Sequence, residues 1–306
     1  MAEEIHHPHD LMVRAVLSDL TEAASFLQTH LPEAVSQALN WSTLTLLEGS
    51  FVDEDLRESE ADLLYEVEHV SGATSLWVYV LLEHQSTPDR WMRLRLLKYC
   101  CRIWDLSFRD YPEQRELRAI VPLVFYQGER SWSYSSEFAE LFAESVRDWP
   151  GVPRFSHGLI DQSGMQPDEV QGDLKVRIMQ LVMLAAYHPT VAWMEGVASL
   201  LDSLASLPPS GGINHVRLFV LYILATQEPK AAQSFRDVLR QYAPEVGDDL
   251  MTYAQELLAQ GEIRAQVRII ENLLREGMEW PVIERVTGVN EAQFQALKQQ
   301  VEGMNA

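Results

Sequence analysis

The chain has 306 residues, 47% of them hydrophobic, enough for a full core and about two domains. It has 45 acidic against 24 basic residues, a net charge of −21, which argues against broad nonspecific affinity for nucleic acid but leaves room for a local basic face. No run of about 18 apolar residues suggests a membrane span. The start, MAEEIHHPHD, lacks the basic and apolar stretches of a signal peptide, and the adjacent Cys100 and Cys101 build no disulfide framework, so a cytoplasmic protein is expected.

Residues 9 to 31 carry helical spacing of apolar positions and stop before Pro32. Leu44 to Phe51 is a short apolar stretch that predicts a strand, and the acidic VDEDLRESE after it predicts a loop. Ala61 to Val70 and Leu76 to His84 are rich in Val, Tyr, Leu and Trp, are separated by SGATS, and predict a hairpin. Trp91 to Leu106 predicts an amphipathic helix. Leu117 to Tyr126 is a continuous apolar run that suits a buried central strand, although Pro122 sits inside it. Arg154 to Asp161 predicts one more strand.

This order of helix, three strands, helix and strand is an α/β layout. After about residue 165 the pattern is helical, and LPPSGG breaks two of the helices. From about residue 261 a tail of short helices runs through WP and TGV. The expected organisation is a core over 1–165, a helical region over 166–260 and a small helical tail over 261–306. The helical part is a candidate surface for self-association.

Chemistry concentrates at the ends of the hairpin. Side chains alternate along a strand, so Glu83 and Gln85 share a face with Tyr79 and Leu81. If the two strands pair antiparallel, the start of one lies beside the end of the next, and Asp62 approaches Glu83. Two carboxylates at a sheet end suit a hard divalent ion such as Mg²⁺, which can polarise a phosphate and acidify a bound water. The plainer alternative is that all three are ordinary polar residues at strand ends. Arg90, Arg93, Lys98 and Arg102, on or beside the following helix, either contact phosphates or form a solvated face. Arg95 and Tyr99, spaced i, i+4, are placed to pack toward the sheet. Gln127 has either a supporting role at the same edge or plain turn chemistry in QGE. His6, His7 and His9 are a transition-metal cluster or a solvated tail. No GxSxG, GxxxxGK[ST] or GxGxxG motif follows a strand.

The segments HDLMVRAVL, FVDEDLRESEADLLYEV, VYVLLEHQSTPDRWMRLRLLKY and IVPLVFYQGERSW stand in order over roughly residues 9 to 132. Together they resemble the Rpn family of recombination-promoting nucleases, also described as putative transposases of the YhgA type. LLEHQS followed by the Arg-rich helix is the most specific part. That family resembles the PD-(D/E)xK superfamily, so the resemblance implies a restriction-endonuclease-like core with a mixed central sheet flanked by helices, followed by an all-helical C-terminal region. It implies a metal-dependent DNA endonuclease linked to recombination or mobile DNA, using Mg²⁺ or another divalent cation such as Mn²⁺ or Ca²⁺ and leaving a 5′-phosphate. Asp62 takes the metal-binding aspartate position, Glu83 the second acidic position and Gln85 the place usually held by lysine. Asp10 matches the HD pattern and would help hold the metal; as a plain helix N-cap it has an alternative role. Glutamine orients by hydrogen bonds and brings no charge, so slow cleavage, or a non-catalytic protein binding nucleic acid or a protein partner, is the competing expectation.

Overall fold

The computed structural model describes residues 8–47, 63–72, 75–83, 88–128, 130–186, 190–207, 214–275 and 278–303. The chain opens with helices α1 (Pro8–Leu17), α2 (Leu20–His30) and α3 (Glu33–Gln37). One helix over 9–31 was expected; the structure has two. The break falls at Ser18 and Asp19, where the Asp19 carboxylate accepts the Thr21 backbone N–H at 2.9 Å and caps α2.

A five-stranded sheet follows in the order β1 (Leu39–Leu46), β2 (Leu63–His69), β3 (Ser75–Glu83), β4 (Ile120–Tyr126) and β5 (Gly158–Asp161). The expected first strand, Leu44 to Phe51, begins earlier, at Leu39, and its pairing with β2 shifts register between Asn40 and Thr45. The hairpin of β2 and β3 is antiparallel as expected, with Gly72 at φ 67° in its turn, a conformation glycine adopts without a Cβ clash. Then the sheet changes sense. The chain leaves β3, runs through α4 (Met92–Asp110), and returns as β4, parallel to β3; β5 continues parallel. The result is a mixed sheet. Pro122 is tolerated in central β4 because β5 begins at Gly158, opposite Leu123, one residue past the proline.

Each face of this sheet is covered. On one, Leu64, Val124 and Tyr126 bury against Met92, Leu96, Tyr99 and Ile103 of α4. On the other, Phe125 meets Phe26 of α2 edge-on at 5.2 Å, and the Tyr65 hydroxyl donates to the Leu17 carbonyl at 2.6 Å. The second layer extends into α5 (Leu174–Ala185), α6 (Val191–Ala205), α7 (His215–Thr226) and α8 (Pro229–Tyr242). Helix α5 packs on α1 and α2, and α7 packs on α1. That is why the chain divides into compact units at residue 243, whereas breaks near 165 and 260 were expected. The helices after 165 pack onto α1 and α2, which cover that face of the sheet. In the other unit, α9 (Pro244–Arg275), α10 (Trp280–Thr287) and α11 (Glu291–Gly303) share a core of Val267, Ile270, Ile283, Val289 and Phe294. Gly288, at φ 72°, ends α10, and Asn290 and Gln293 exchange backbone–side-chain bonds at 2.9 Å to start α11. No described helix is long and apolar enough to cross a membrane.

The α2–α5 seam holds a buried polar chain. The Gln180 side-chain oxygen accepts from Gln162 and from the His30 ring, each at 3.1 Å, and its amide donates to the Gln171 carbonyl at 2.9 Å. Burial holds His30 below the ordinary histidine range, so the neutral ring is the folded form. A histidine with a depressed folded pKa adds stability that is complete above its unfolded pKa of about 6.5 and is lost as pH falls through the folded value. The urea midpoint of the wild type should therefore drop from about pH 7 to about pH 5 more steeply than that of His30→Gln, which keeps a hydrogen-bonding group but cannot titrate. Parallel curves for the two proteins would contradict this placement of His30.

Candidate active site

The fold brings four strand ends to one edge. β2 begins at Leu63, which pairs with Val80, three residues before the end of β3. Glu83, the last residue of β3, pairs with Tyr126, the last of β4, and Tyr126 pairs with Asp161, the last of β5. Glu83, Tyr126 and Asp161 thus form one row across the carboxyl ends of three parallel strands, the place where open α/β sheets gather ligands. Of Glu83 the backbone position is described. Asp62 and Gln85 lie outside the described residues, Asp62 directly before the first residue of β2.

The other members of the row are already engaged. Asp161 accepts the Trp132 backbone N–H at 2.8 Å through one oxygen, and the Ser163 backbone N–H and hydroxyl at 3.0 and 2.6 Å through the other. It closes the loop after β5. Tyr126 is fully buried, and its hydroxyl donates to the Arg130 carbonyl at 2.8 Å. Gln127 follows directly and is buried. Its amide donates to the Met183 carbonyl of α5, so it ties the end of β4 to the helical layer; turn chemistry alone does not account for it.

Asp10 is buried in the first turn of α1, two residues into the helix, so it does not occupy the N-cap position. A carboxylate there complements the positive end of the helix dipole. His9 beside it is no solvated tail: it is buried, its ring hydrogen-bonds to the Tyr222 hydroxyl of α7, and the two rings meet edge-on at 5.1 Å. His6 and His7 lie outside the described residues. Among the described residues no three metal-ligating side chains gather.

The basic residues separate into two sets. Lys98 is exposed and Arg102 half-buried on the outer side of α4, and Arg90 is exposed just before it. Arg93 departs from expectation. It is 5% exposed, and its guanidinium donates to the Glu137 carbonyl at 2.9 Å. Burial pulls its pKa down, an effect that Glu140 opposes and Arg90 reinforces. Arg93 therefore anchors the first turn of α4 to the loop before β5 and is not placed to grip phosphate. Arg95 lies over the ring of Tyr99 at 6.0 Å, and Tyr99 packs into the sheet-facing core, as their spacing implied. Of the two cysteines on this helix, Cys100 is buried and its thiol is pushed up to about 12, whereas Cys101 is exposed. Sequence reasoning passed over Trp91, at the N-cap of α4 and 54% exposed; its signal was an aromatic between Arg90 and the helix, directly after the expected site.

The comparisons with known proteins bear on this edge. A family model described as "Putative transposase, YhgA-like" matches residues 7–209. Recombination-promoting nuclease RpnA of Escherichia coli (strain K12) is 29% identical over 303 residues, covering 95% of this chain and 97% of that protein. Recombination-promoting nuclease RpnD of Escherichia coli O157:H7 is 27% identical over 257 residues, 82% of this chain and 94% of the relative. A third relative from strain K12, named inactive recombination-promoting nuclease-like protein RpnE, is 26% identical over 304 residues, 93% of this chain and 95% of its own length. No solved structure matches the fold.

Arg93→Ala should destabilise the protein by about 2 kcal/mol in urea denaturation, because it removes a buried guanidinium and its charge-assisted bond to the Glu137 carbonyl. Lys98→Ala should stay within about 0.5 kcal/mol of wild type. Equal, small effects from both would place Arg93 at the surface.

Proposed function

We propose that this chain, which belongs to the YhgA-like putative transposase family, is a divalent-cation-dependent DNA endonuclease whose site lies at the carboxyl end of β3 and the start of β2. The observation that carries the proposal is the register. Antiparallel β2 and parallel β4 flank β3, so the segment that starts at residue 63 and the one that ends at Glu83 meet at a single edge. The naming of RpnA and RpnD as recombination-promoting nucleases, over nearly their whole lengths, supports the same chemistry. The element order of helix, antiparallel strands, helix and parallel strand fits the PD-(D/E)xK arrangement.

Asp62 and Glu83 form an oxygen-only donor set, which suits Mg²⁺, Mn²⁺ or Ca²⁺ over a softer metal. Asp161 is left out of that set because its oxygens already accept three hydrogen bonds, from Trp132 and Ser163. Asp10 is the candidate third carboxylate. A cation held there would stabilise charge on the scissile phosphate and lower the pKa of its bound water. Gln85 orients the attacking water or a phosphate oxygen by hydrogen bonds, without the positive charge a lysine brings. Arg90, Lys98 and Arg102 hold the DNA backbone, and Arg93 fixes the helix that carries them. One observation favours a second reading, a nuclease-fold protein that binds without cutting: the relative RpnE, matched over almost the whole chain, is named inactive.

Plasmid nicking separates the two. The wild type should nick supercoiled DNA in Mg²⁺, Mn²⁺ or Ca²⁺, and Asp62→Ala and Glu83→Ala should each reduce the rate by about a hundredfold or more. DNA binding without nicking under any of the three ions would favour the binding protein. Undiminished nicking by the two variants would move the site elsewhere.

A further inference from the structure

The N-cap residue of the helix after the site is an exposed tryptophan, and its setting is specific. Trp91 is 54% exposed, yet its backbone is fixed from both sides: its N–H donates to the Asp89 carboxylate at 2.7 Å, and its carbonyl accepts from Leu94 and Arg95 at 2.9 and 3.0 Å. The Arg90 guanidinium lies over the indole ring, 5.6 Å from its centre. The ring belongs to neither of the buried hydrophobic clusters described above.

The helix extends this feature into a line. Positions 91, 98, 102 and 109 are spaced seven, four and seven residues apart, so they stack along one side of α4 over about 27 Å at roughly 1.5 Å per residue. They read Trp91, Lys98, Arg102 and Arg109, with Asp105 among them and Arg109 ion-paired to Asp110 at 3.0 Å. A shallow groove on that side is lined by Lys98, Arg102, Asp105 and Arg109 together with Leu94 and Leu97, and Trp91 stands outside it, at the N-terminal end of the helix. On a chain of net charge −21 this stripe is a local exception. An aromatic ring at the head of a line of cations is an arrangement suited to single strands: bases stack on rings and the backbone follows the cations. A duplex keeps its bases stacked on one another and offers an exposed ring nothing to receive.

We propose that Trp91 is a stacking platform for an unpaired base, and that the α4 stripe carries the single-stranded DNA that leads to it. The substrate class would then be DNA with a single-stranded or frayed segment. The proposal rests on the nuclease reading for the role of this DNA, while its binding is measured separately. Arg90 closes over the ring and Lys98 takes a phosphate farther along the helix.

The test is fluorescence anisotropy of the full chain in EDTA, where no cation-dependent cutting occurs. The probes are a labelled single strand and the same strand annealed to its complement. The wild type should bind the single strand more tightly. Trp91→Ala should weaken single-strand binding by about tenfold or more, and Trp91→Phe should retain most of it, while duplex affinity changes less than about twofold. Unchanged single-strand affinity in Trp91→Ala, an equal loss for both probes, or no single-strand binding by wild type would each overturn the proposal. Nicking by wild type that Asp62→Ala loses would leave the nuclease reading standing in any of those cases.

Discussion

The parallel pairing of β3 with β4 is the constraint on which the rest of the structure depends. Two parallel neighbours need a crossover, and α4 is that crossover. The pairing puts Glu83 level with Tyr126 and, through β5, with Asp161. It also makes α4 the next helix after β3, with Met92 of its first turn in the same cluster as Tyr126. The row of strand ends and the basic stripe are therefore two products of one topological choice. Burial fixes that choice: Leu96, Tyr99 and Ile103 of α4 close over Val124 and Tyr126, and about 25 cal/mol per Å² of buried apolar surface opposes any slip in register.

Around that frame, polar groups are used to hold ends in place. Asp161 spends both oxygens on Trp132 and Ser163, Gln127 ties β4 to α5, and Arg93 ties α4 to the loop ahead of β5. Each is buried or half-buried and each sits within a few residues of a strand or helix terminus. Buried polar groups of this kind are costly unless bonded, and they confine the edge geometrically.

Much of the sheet was legible because its signals are local. The hairpin, the amphipathic helix and the apolar β4 run follow from period and composition, and their spans agree with the structure to within a few residues except at helix ends. The split of 9–31 was hidden, since the apolar spacing continues across Asp19 and only its capping bond breaks the helix. The joining of α5 and α7 to the first layer was hidden too, because sequence distance says nothing about which helix covers a sheet face. Arg93 shows a readable signal that was missed: it stands three and seven residues before Leu96 and Cys100, both buried, which puts it on the rim of the inner face. The acids at 62 and 83 could be named from strand alternation, whereas their role came from family resemblance, since no spacing rule separates a metal ligand from a polar strand end.

The central claim is that a cation binds where β2 starts and β3 ends. The most direct measurement is anomalous diffraction from crystals of the full chain soaked in Mn²⁺. The account predicts a peak within coordination distance, about 2 to 2.5 Å, of carboxylate oxygens of both Asp62 and Glu83. A peak coordinated by other side chains, or no peak at that edge in crystals of protein that nicks DNA in Mn²⁺, would contradict it.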